Sequence, residues 1–546
     1  MTRRRKHREP HERARLSQDA TPANPMMIAQ RISRARAVAN SDVVAQIVAA
    51  AEQRTGRPRM IPLDAVFAAF VFHATSRPHA MTTAGVCESL KTLTRDDLLR
   101  LGIPACDRIR YKRVHSGWRA IRRVIERGFL VAHDHELEAD KITGEVLPCP
   151  EGCPYVPVNL DEILTQLIQA SIPTEFERPT GVAIDGTDIE SHTRPHRKRV
   201  DAQGRAFWSI DHDARWGHRT ATSRRPTELH LGYEAHVATY IPPVDGAPIP
   251  QLVAGVALRP GVRLRSSAAI AVLDALKFIT EALLDRGYTT AQAEKLARLL
   301  RLRHIDLTMD LHKSQRGTSP GPTPGTIWID GHLYSAAIPA RLKKLDPPTL
   351  AMSEAEKAHL RDIFDAREPY RFVPHEKHNK ERGSQRYRGP AASEDHYKVR
   401  CPNTPGSMRK EHHLPTTSCI KGQPCGCAQT PVVKDVDQER NRQRLPWQGT
   451  RWAKSFNRRT LVEGLFGATR YQSLNINRGF FRQIGLVATG LLLAVAYIGH
   501  NIVRLHAWHT TRGLPEPWQV HLGEPIDDRP LDKATRTRGR RKRPTD

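Results

Sequence analysis

Residues 181–189 read GVAIDGTDI. An apolar run leads into Asp185, Gly186 and Thr187, the pattern of a buried strand that ends in a polar turn. Similar stretches follow. ELHLGYEAHVATYI (Glu228 to Ile241) and PQLVAGVALRP (Pro250 to Pro260) read as two further strands, rich in β-branched and aromatic residues. Ser267 to Phe278 reads as a helix, and ITEALLDRGY (Ile279 to Tyr288) as a short strand running into a glycine turn. Three strands, a helix and a strand are the beginning of a mixed α/β fold.

Upstream, residues 28–175 have helical periodicity and are expected to form an all-helical domain. Ser41 is a plausible N-cap, Gly56 a stop, Pro62 a helix start and Thr94 another cap. The run WRAIRRVIER, Trp118 to Arg127, is amphipathic with four arginines on it. Residues 1–27 read as a disordered basic arm. Downstream, residues 301–450 are irregular and rich in Pro, Gly, His and Arg. That is too long for a loop and predicts an inserted subdomain. It separates a first core segment at 176–300 from a second at 451–510, and 511–546 is a basic tail. There are no internal repeats.

The 546 residues carry 85 Lys+Arg against 58 Asp+Glu, a formal charge of +27. More than half of that excess lies between the basic termini, so the body itself is cationic. Charge of this kind predicts a polyanionic partner, most simply double-stranded DNA. Hydrophobic residues, at 39%, suffice for a core but not for a polytopic membrane protein. Eight cysteines in so long a chain do not make a disulfide scaffold, and the N-terminus lacks the apolar core of a secretory signal. A cytoplasmic, nucleoid-associated location without a membrane partner follows. Ile484 to Val503 has no Lys, Arg, Asp or Glu and is long enough to span a bilayer. Gly485, Gly490, Gly499, His500 and Asn501 within it favour a buried core helix instead.

Asp185 and Asp285 each end an apolar run, where open α/β sheets assemble their sites. Singly, each is better explained as a turn residue. With a third acid on a helix they would form a set of oxygen ligands for hard divalent ions, since clustered carboxylates repel unless cations neutralise them. That acid is offered by SFNRRTLVEGLFGATR, Ser455 to Arg470. Phe456, Arg459, Glu463 and Arg470 fall within a helical stripe about 60° wide. A lone Arg459–Glu463 pair would be worth only about 0.2–0.5 kcal/mol and would leave Arg470 unexplained. Asp310 and Asp330 also end strand-like runs and rival Asp285, although Asp-Gly after a strand is usually a hairpin turn. Asp188 is a weaker rival to Asp185.

In these features the chain resembles the DDE transposases of bacterial insertion sequences, in the branch with a Tyr-x2-Arg-x3-Glu-x6-Lys signature around the catalytic Glu. Phe456, Arg459, Glu463 and Arg470 fit it with Phe for Tyr and Arg for Lys. IDGT at 184–187 and DRGY at 285–288 resemble the other two acid motifs. DHDARWGH (Asp211 to His218) and GYEAH (Gly232 to His236) resemble segments common in these enzymes. The resemblance implies a ribonuclease-H-like catalytic core with an inserted subdomain between the second Asp and the Glu. It implies Asp185, Asp285 and Glu463 as catalytic, metal-holding residues, two Mg²⁺ (or Mn²⁺) as cofactors, and Arg459 and Arg470 as DNA-phosphate ligands. Water would cleave the phosphodiester at element ends, and the freed 3′-OH would attack target DNA. A homodimer pairing two terminal inverted repeats, read by the helical domain, is implied as well. A nuclease on the same fold and a catalytically inactive DNA-binding regulator remain as alternatives.

Cys401, Cys419, Cys425 and Cys427, with His412 and His413 between them, could close a structural Zn²⁺ site, although Cys-x-Cys is not the usual knuckle. Reduced, unliganded thiols are the alternative. Cys149 and Cys153 read as a Pro/Gly turn, and His375, His378 and His396, set among Lys and Arg, as a DNA-facing loop.

Overall fold

The computed structural model describes residues 24–52, 58–104, 109, 111–127, 147, 150, 152, 159–202, 204–219, 228–261, 264–349, 351–410, 413–527 and 529. Most of the basic arm, the tail from 530, Cys149, Cys153 and His412 lie outside them. The chain is mixed α/β. Its described residues begin with seven helices: α1 Ile28–Ala39, α2 Asp42–Ala51, α3 Leu63–Ala74, α4 Thr83–Lys91, α5 Arg95–Arg100, α6 Tyr111–Arg127 and α7 Leu160–Gln169. Thr94 caps α5, its hydroxyl accepting from the Asp97 N–H at 3.2 Å. Ser41 stands at the N-cap of α2, but its hydroxyl donates back to Val38 O at 2.7 Å. Every residue of helix α3 except Asp64 is buried, so it forms the axis of this region. Trp118 of α6 stacks on Phe70 with ring centroids 4.0 Å apart. Arg119 and Arg123 of α6 are exposed, whereas Arg122 is half-buried and pairs with Glu126 at 3.1 Å.

The main sheet is built from β1 Gly181–Glu190, β4 Arg215–Arg219, β5 Glu228–Ile241, β6 Val253–Pro260, β7 Glu281–Leu284 and β8 Asp306–Met309, with a small hairpin, β2 Arg199–Val200 and β3 Ala206–Phe207, beside it. One edge of β5 pairs antiparallel with β1; its other edge is shared between β4 and β6. Beyond β1 the sheet continues in parallel through β7 to β8. Parallel neighbours need crossovers. These are α8 Arg265–Leu276 before β7, and α9 Arg286–Thr289 with α10 Ala297–Leu302 before β8.

Three boundaries differ from the sequence expectation. β1 does not turn at Gly186-Thr187 but runs to Glu190, because β5 gives every residue from Gly181 to Glu190 a partner. β8 lies inside the stretch expected to be wholly inserted, as the far strand of the main sheet. The N-terminal helices are not walled off: α3 and α7 share one hydrophobic core with the sheet and with α13 Leu486–Thr510. Gly499 of α13 makes that packing possible, since a Cβ there would lie 2.6 Å from the Ala74 carbonyl carbon.

Among the described residues α13 is the one helix long and apolar enough to cross a membrane, and most of it is buried inside the protein. Asn501 on it exchanges hydrogen bonds with the Val253 backbone, 2.9 Å each way, which satisfies its amide within the core. Before α13 come α11 Thr450–Phe456, a 3₁₀ turn at Asn457–Arg459, and α12 Thr460–Tyr471. The C-terminal α14, Pro517–Leu522, is tied to α1 through Arg34, whose guanidinium meets Glu516 at 2.6 Å and Glu524 at 3.0 Å. The inserted region carries two small three-stranded sheets and its own two cores, one around Tyr334, Tyr370, Cys401 and Cys427, the other around Trp328, Phe372 and Val433.

Candidate active site

The pairing register decides which acids meet. β1 and β7 run parallel with Ile184 opposite Leu284, so Asp185 and Asp285 are the next residues on adjacent strands. Adjacent strands lie about 4.8 Å apart, which leaves the two carboxylates as neighbours. Asp285 caps α9, its Oδ1 accepting from the Arg286 N–H at 2.7 Å. Asp185 Oδ1 accepts from the Gly186 N–H at 2.8 Å.

Glu463 comes from the first turn of α12, which packs its Val462 against Ala183, Ile241 and Leu283 of the sheet. Its carboxylate is exposed. Arg459 lies between the acids: Nη1 donates to Asp185 Oδ2 at 2.9 Å and Nη2 to Glu463 Oε1 at 2.5 Å. Burial pushes the Asp185 carboxyl up to about 6; Arg459 works against that, while the negative charges of Asp285 and Glu463 add to it. A mostly buried acid beside two more acids, already holding one cation, is a site suited to positive charge. The donors are hard carboxylate oxygens, which fit Mg²⁺ or Mn²⁺, and the Arg459 guanidinium stands where such an ion would be drawn.

Arg470 does not take the phosphate-binding place expected of it. It is buried, and its guanidinium donates to Thr187 Oγ1 at 2.6 Å, Asp188 O at 2.6 Å and Ile476 O at 2.9 Å. It fastens α12 to β1. Asp188 accepts from it at 3.1 Å and faces Arg219 at 3.6 Å, so this rival to Asp185 is a packing acid. Phe456 stacks on Trp452 with centroids 4.7 Å apart and lies 5.5 Å beneath the Arg459 guanidinium. Without a hydroxyl it offers a seat in place of a hydrogen bond.

Sequence reasoning passed over a buried polar group behind Asp185. Glu234 is gripped by Arg265 at 2.7 and 3.2 Å, and His236 Nδ1 meets Tyr288 Oη at 2.8 Å. Burial holds the His236 imidazole down at about 3, so it is neutral, and raises the Glu234 carboxyl. A Cβ on Gly186 would lie 2.6 Å from Glu234 Oε1, which is why glycine follows Asp185. The signal was present in GYEAH and DRGY, which supply Glu234, His236 and Tyr288.

The rivals to Asp285 are used elsewhere. Asp310 accepts from Arg286 Nε at 2.5 Å and Trp447 Nε1 at 2.9 Å. Asp330 is buried in the inserted region, paired with Arg367 at 2.7 Å. With Gly331 it forms the turn between the strands Thr326–Ile329 and His332–Ser335, both residues at positive φ (47° and 82°).

The four cysteines do come together: the sulfurs of Cys401, Cys419, Cys425 and Cys427 all lie within 4.8 Å of one another. Cys401 and Cys425 are 3.7 Å apart and Cys419 and Cys427 3.6 Å, so no disulfide joins them. Burial raises the Cys427 thiol and pushes that of Cys419 up to about 11. Among the described residues no other His, Cys, Asp or Glu group gathers so tightly. Comparison with family models, with curated proteins and with solved structures gave no match to this chain.

Proposed function

We propose that the chain is a transposase of the DDE type, cutting DNA at the ends of a mobile element and joining those ends to target DNA. The observation that carries this reading is the β1–β7 register, with Asp185 and Asp285 side by side and Glu463 linked to Asp185 through one guanidinium. The strand order adds support. Antiparallel strands β6, β5 and β1, continued in parallel by β7 and β8, follow the arrangement expected of a ribonuclease-H-like core.

Asp185, Asp285 and Glu463 would hold two Mg²⁺, which supply charge neutralisation at the attacking and leaving oxygens of an in-line displacement. Asp185 must be ionised to serve, and a bound divalent ion would offset the burial that raises its carboxyl. Arg459 reaches the same oxygens and is placed to steer a phosphate to them. The +27 charge supplies sequence-independent attraction to the DNA backbone. Exposed Lys112, Arg119 and Arg123 of α6 offer a surface to the terminal repeats. A homodimer holding two ends, acting on the nucleoid in the cytoplasm, belongs to the same proposal.

The inserted region takes a structural Zn²⁺ on Cys401, Cys419, Cys425 and Cys427. A tetrahedron with Zn–S bonds of about 2.3 Å has S···S edges of about 3.8 Å, close to the 3.6 and 3.7 Å found. Elemental analysis should find one zinc per chain, absent from Cys425→Ser; free titration of Cys401, Cys419, Cys425 and Cys427 themselves in the native protein, identified by mapping the labelled thiols, would remove the zinc from the proposal.

The main test is Mg²⁺-dependent cleavage and joining of labelled DNA carrying the element's flanking ends. Asp185→Asn, Asp285→Asn and Glu463→Gln should lose both reactions while binding DNA as wild type does without metal. Cleavage without joining would favour the nuclease, and binding without either reaction the inactive regulator.

A further inference from the structure

Resting on the reading of Asp185, Asp285 and Glu463 as a divalent-metal site, we infer that Arg459 is a resident counter-cation which divalent metal must displace, and that a DNA phosphate draws it away. Metal loading and DNA binding are thereby coupled through one side chain.

The geometry is specific. The oxygens Arg459 occupies, Asp185 Oδ2 and Glu463 Oε1, belong to two of the three acids, and on each it takes an oxygen a metal would need. Two cations do not share those oxygens, so in the DNA-free protein the metal meets a site already neutralised. Arg459 is supported from below. The Phe456 ring lies under its guanidinium, Phe456 stacks on Trp452, and Trp452 Nε1 is held by Met309 O at 3.2 Å and Gln443 Oε1 at 3.1 Å. The neighbouring Arg458 is anchored separately, at 2.6 Å from Glu281. Arg459 therefore keeps a fixed base while its head group is free to exchange partners. A phosphodiester offers it a bidentate alternative to the carboxylates. Once it turns to the phosphate, the acids are left with uncompensated charge, which favours the metal.

Competition lowers apparent metal affinity by the fraction of molecules in which the acids are vacant. Coupling of this kind usually spans about 5- to 150-fold. Linkage makes it reciprocal: metal must strengthen DNA binding as much as DNA strengthens metal binding.

The test is Mn²⁺ binding to the full chain, followed by electron paramagnetic resonance of the free ion, for wild type and Arg459→Gln, with and without duplex DNA. Thermal melting of both proteins checks that they are folded. Arg459→Gln should bind Mn²⁺ at least about fivefold more tightly than wild type without DNA. Added DNA should tighten Mn²⁺ binding to wild type and leave Arg459→Gln nearly unchanged. Equal Mn²⁺ affinities without DNA, in proteins whose binding is abolished by Asp185→Asn, would overturn the inference and leave the metal site standing. Mn²⁺ binding indifferent to Asp185→Asn would overturn the metal-site reading itself.

Discussion

Asp285 ends β7 in the main sheet, and Asp330 ends the strand Thr326–Ile329 in the inserted region. Each follows an apolar run, and each has a glycine within two residues. Asp285 has a parallel neighbour, β1, whose next residue is Asp185, so two like charges are forced together at a shared edge. Asp330 has an antiparallel neighbour joined to it by a two-residue turn, and its charge is answered by the buried Arg367. The partner strand decides whether an acid at a strand end is driven into unsatisfied company or given a counter-ion at once. Unsatisfied company serves chemistry; a buried pair serves the fold.

That contrast can be broken in four ways. The largest effect is on turnover: Asp285→Asn should lower cleavage on the order of 10,000-fold, while folded Asp330→Asn cuts at close to the wild-type rate in the same assay. Next, Asp330→Ala leaves Arg367 buried without its partner and should lower urea-unfolding stability by about 3–5 kcal/mol; an unchanged midpoint would deny that pair its structural role. Third, Asp185 holds its proton to about 6 when folded, against an ordinary 3.8, so its stabilising share is full below pH 3.8 and is lost as pH rises through about 6. Asp185→Asn should therefore stabilise the protein above that range by up to about 3 kcal/mol, a gain that fades as the medium is acidified. A gain independent of pH would contradict it. The smallest effect is Asp285→Asn on stability. Asparagine caps a helix as well as aspartate, so unfolding should shift by no more than about 0.5 kcal/mol.

Much of the sheet was legible because its strands are long or apolar: Glu228 to Ile241 and Val253 to Pro260 form strands where their side-chain pattern predicts them. β8 was not, because four residues beginning at Asp306 carry too little pattern to separate a sheet strand from the irregular stretch around it. The turn expected at Gly186-Thr187 failed for a related reason. Local residue preference favoured a turn, and a full ladder against β5 overrode it. At the site, helical spacing placed Arg459 near Glu463, but spacing specifies a face and not the partner across from it. Arg470 shares the stripe and is spent on Asp188 and Thr187. Glu234 and Arg265 were illegible as a pair, since each only acquires meaning from the other element's position. The cysteines were legible as a group because four thiols within 27 residues can supply a full tetrahedral ligand set.

The link from Arg34 to Glu516 spans 482 residues. Both side chains are wholly buried, so neither tolerates the absence of the other. Ribosomes add about 5–20 residues per second, so the first helix waits on the order of 25–100 s for its counter-ion to be synthesised. During that interval the end of α3 at Ala74, which packs on Gly499 of α13, has no partner, while Phe67, Phe70 and Phe72 are already covered by Trp118 and Arg31. That part of the core closes only once residues 486–516 have been made. A chain cut short before α13 would leave that end of α3, and α7 beside it, open to other chains.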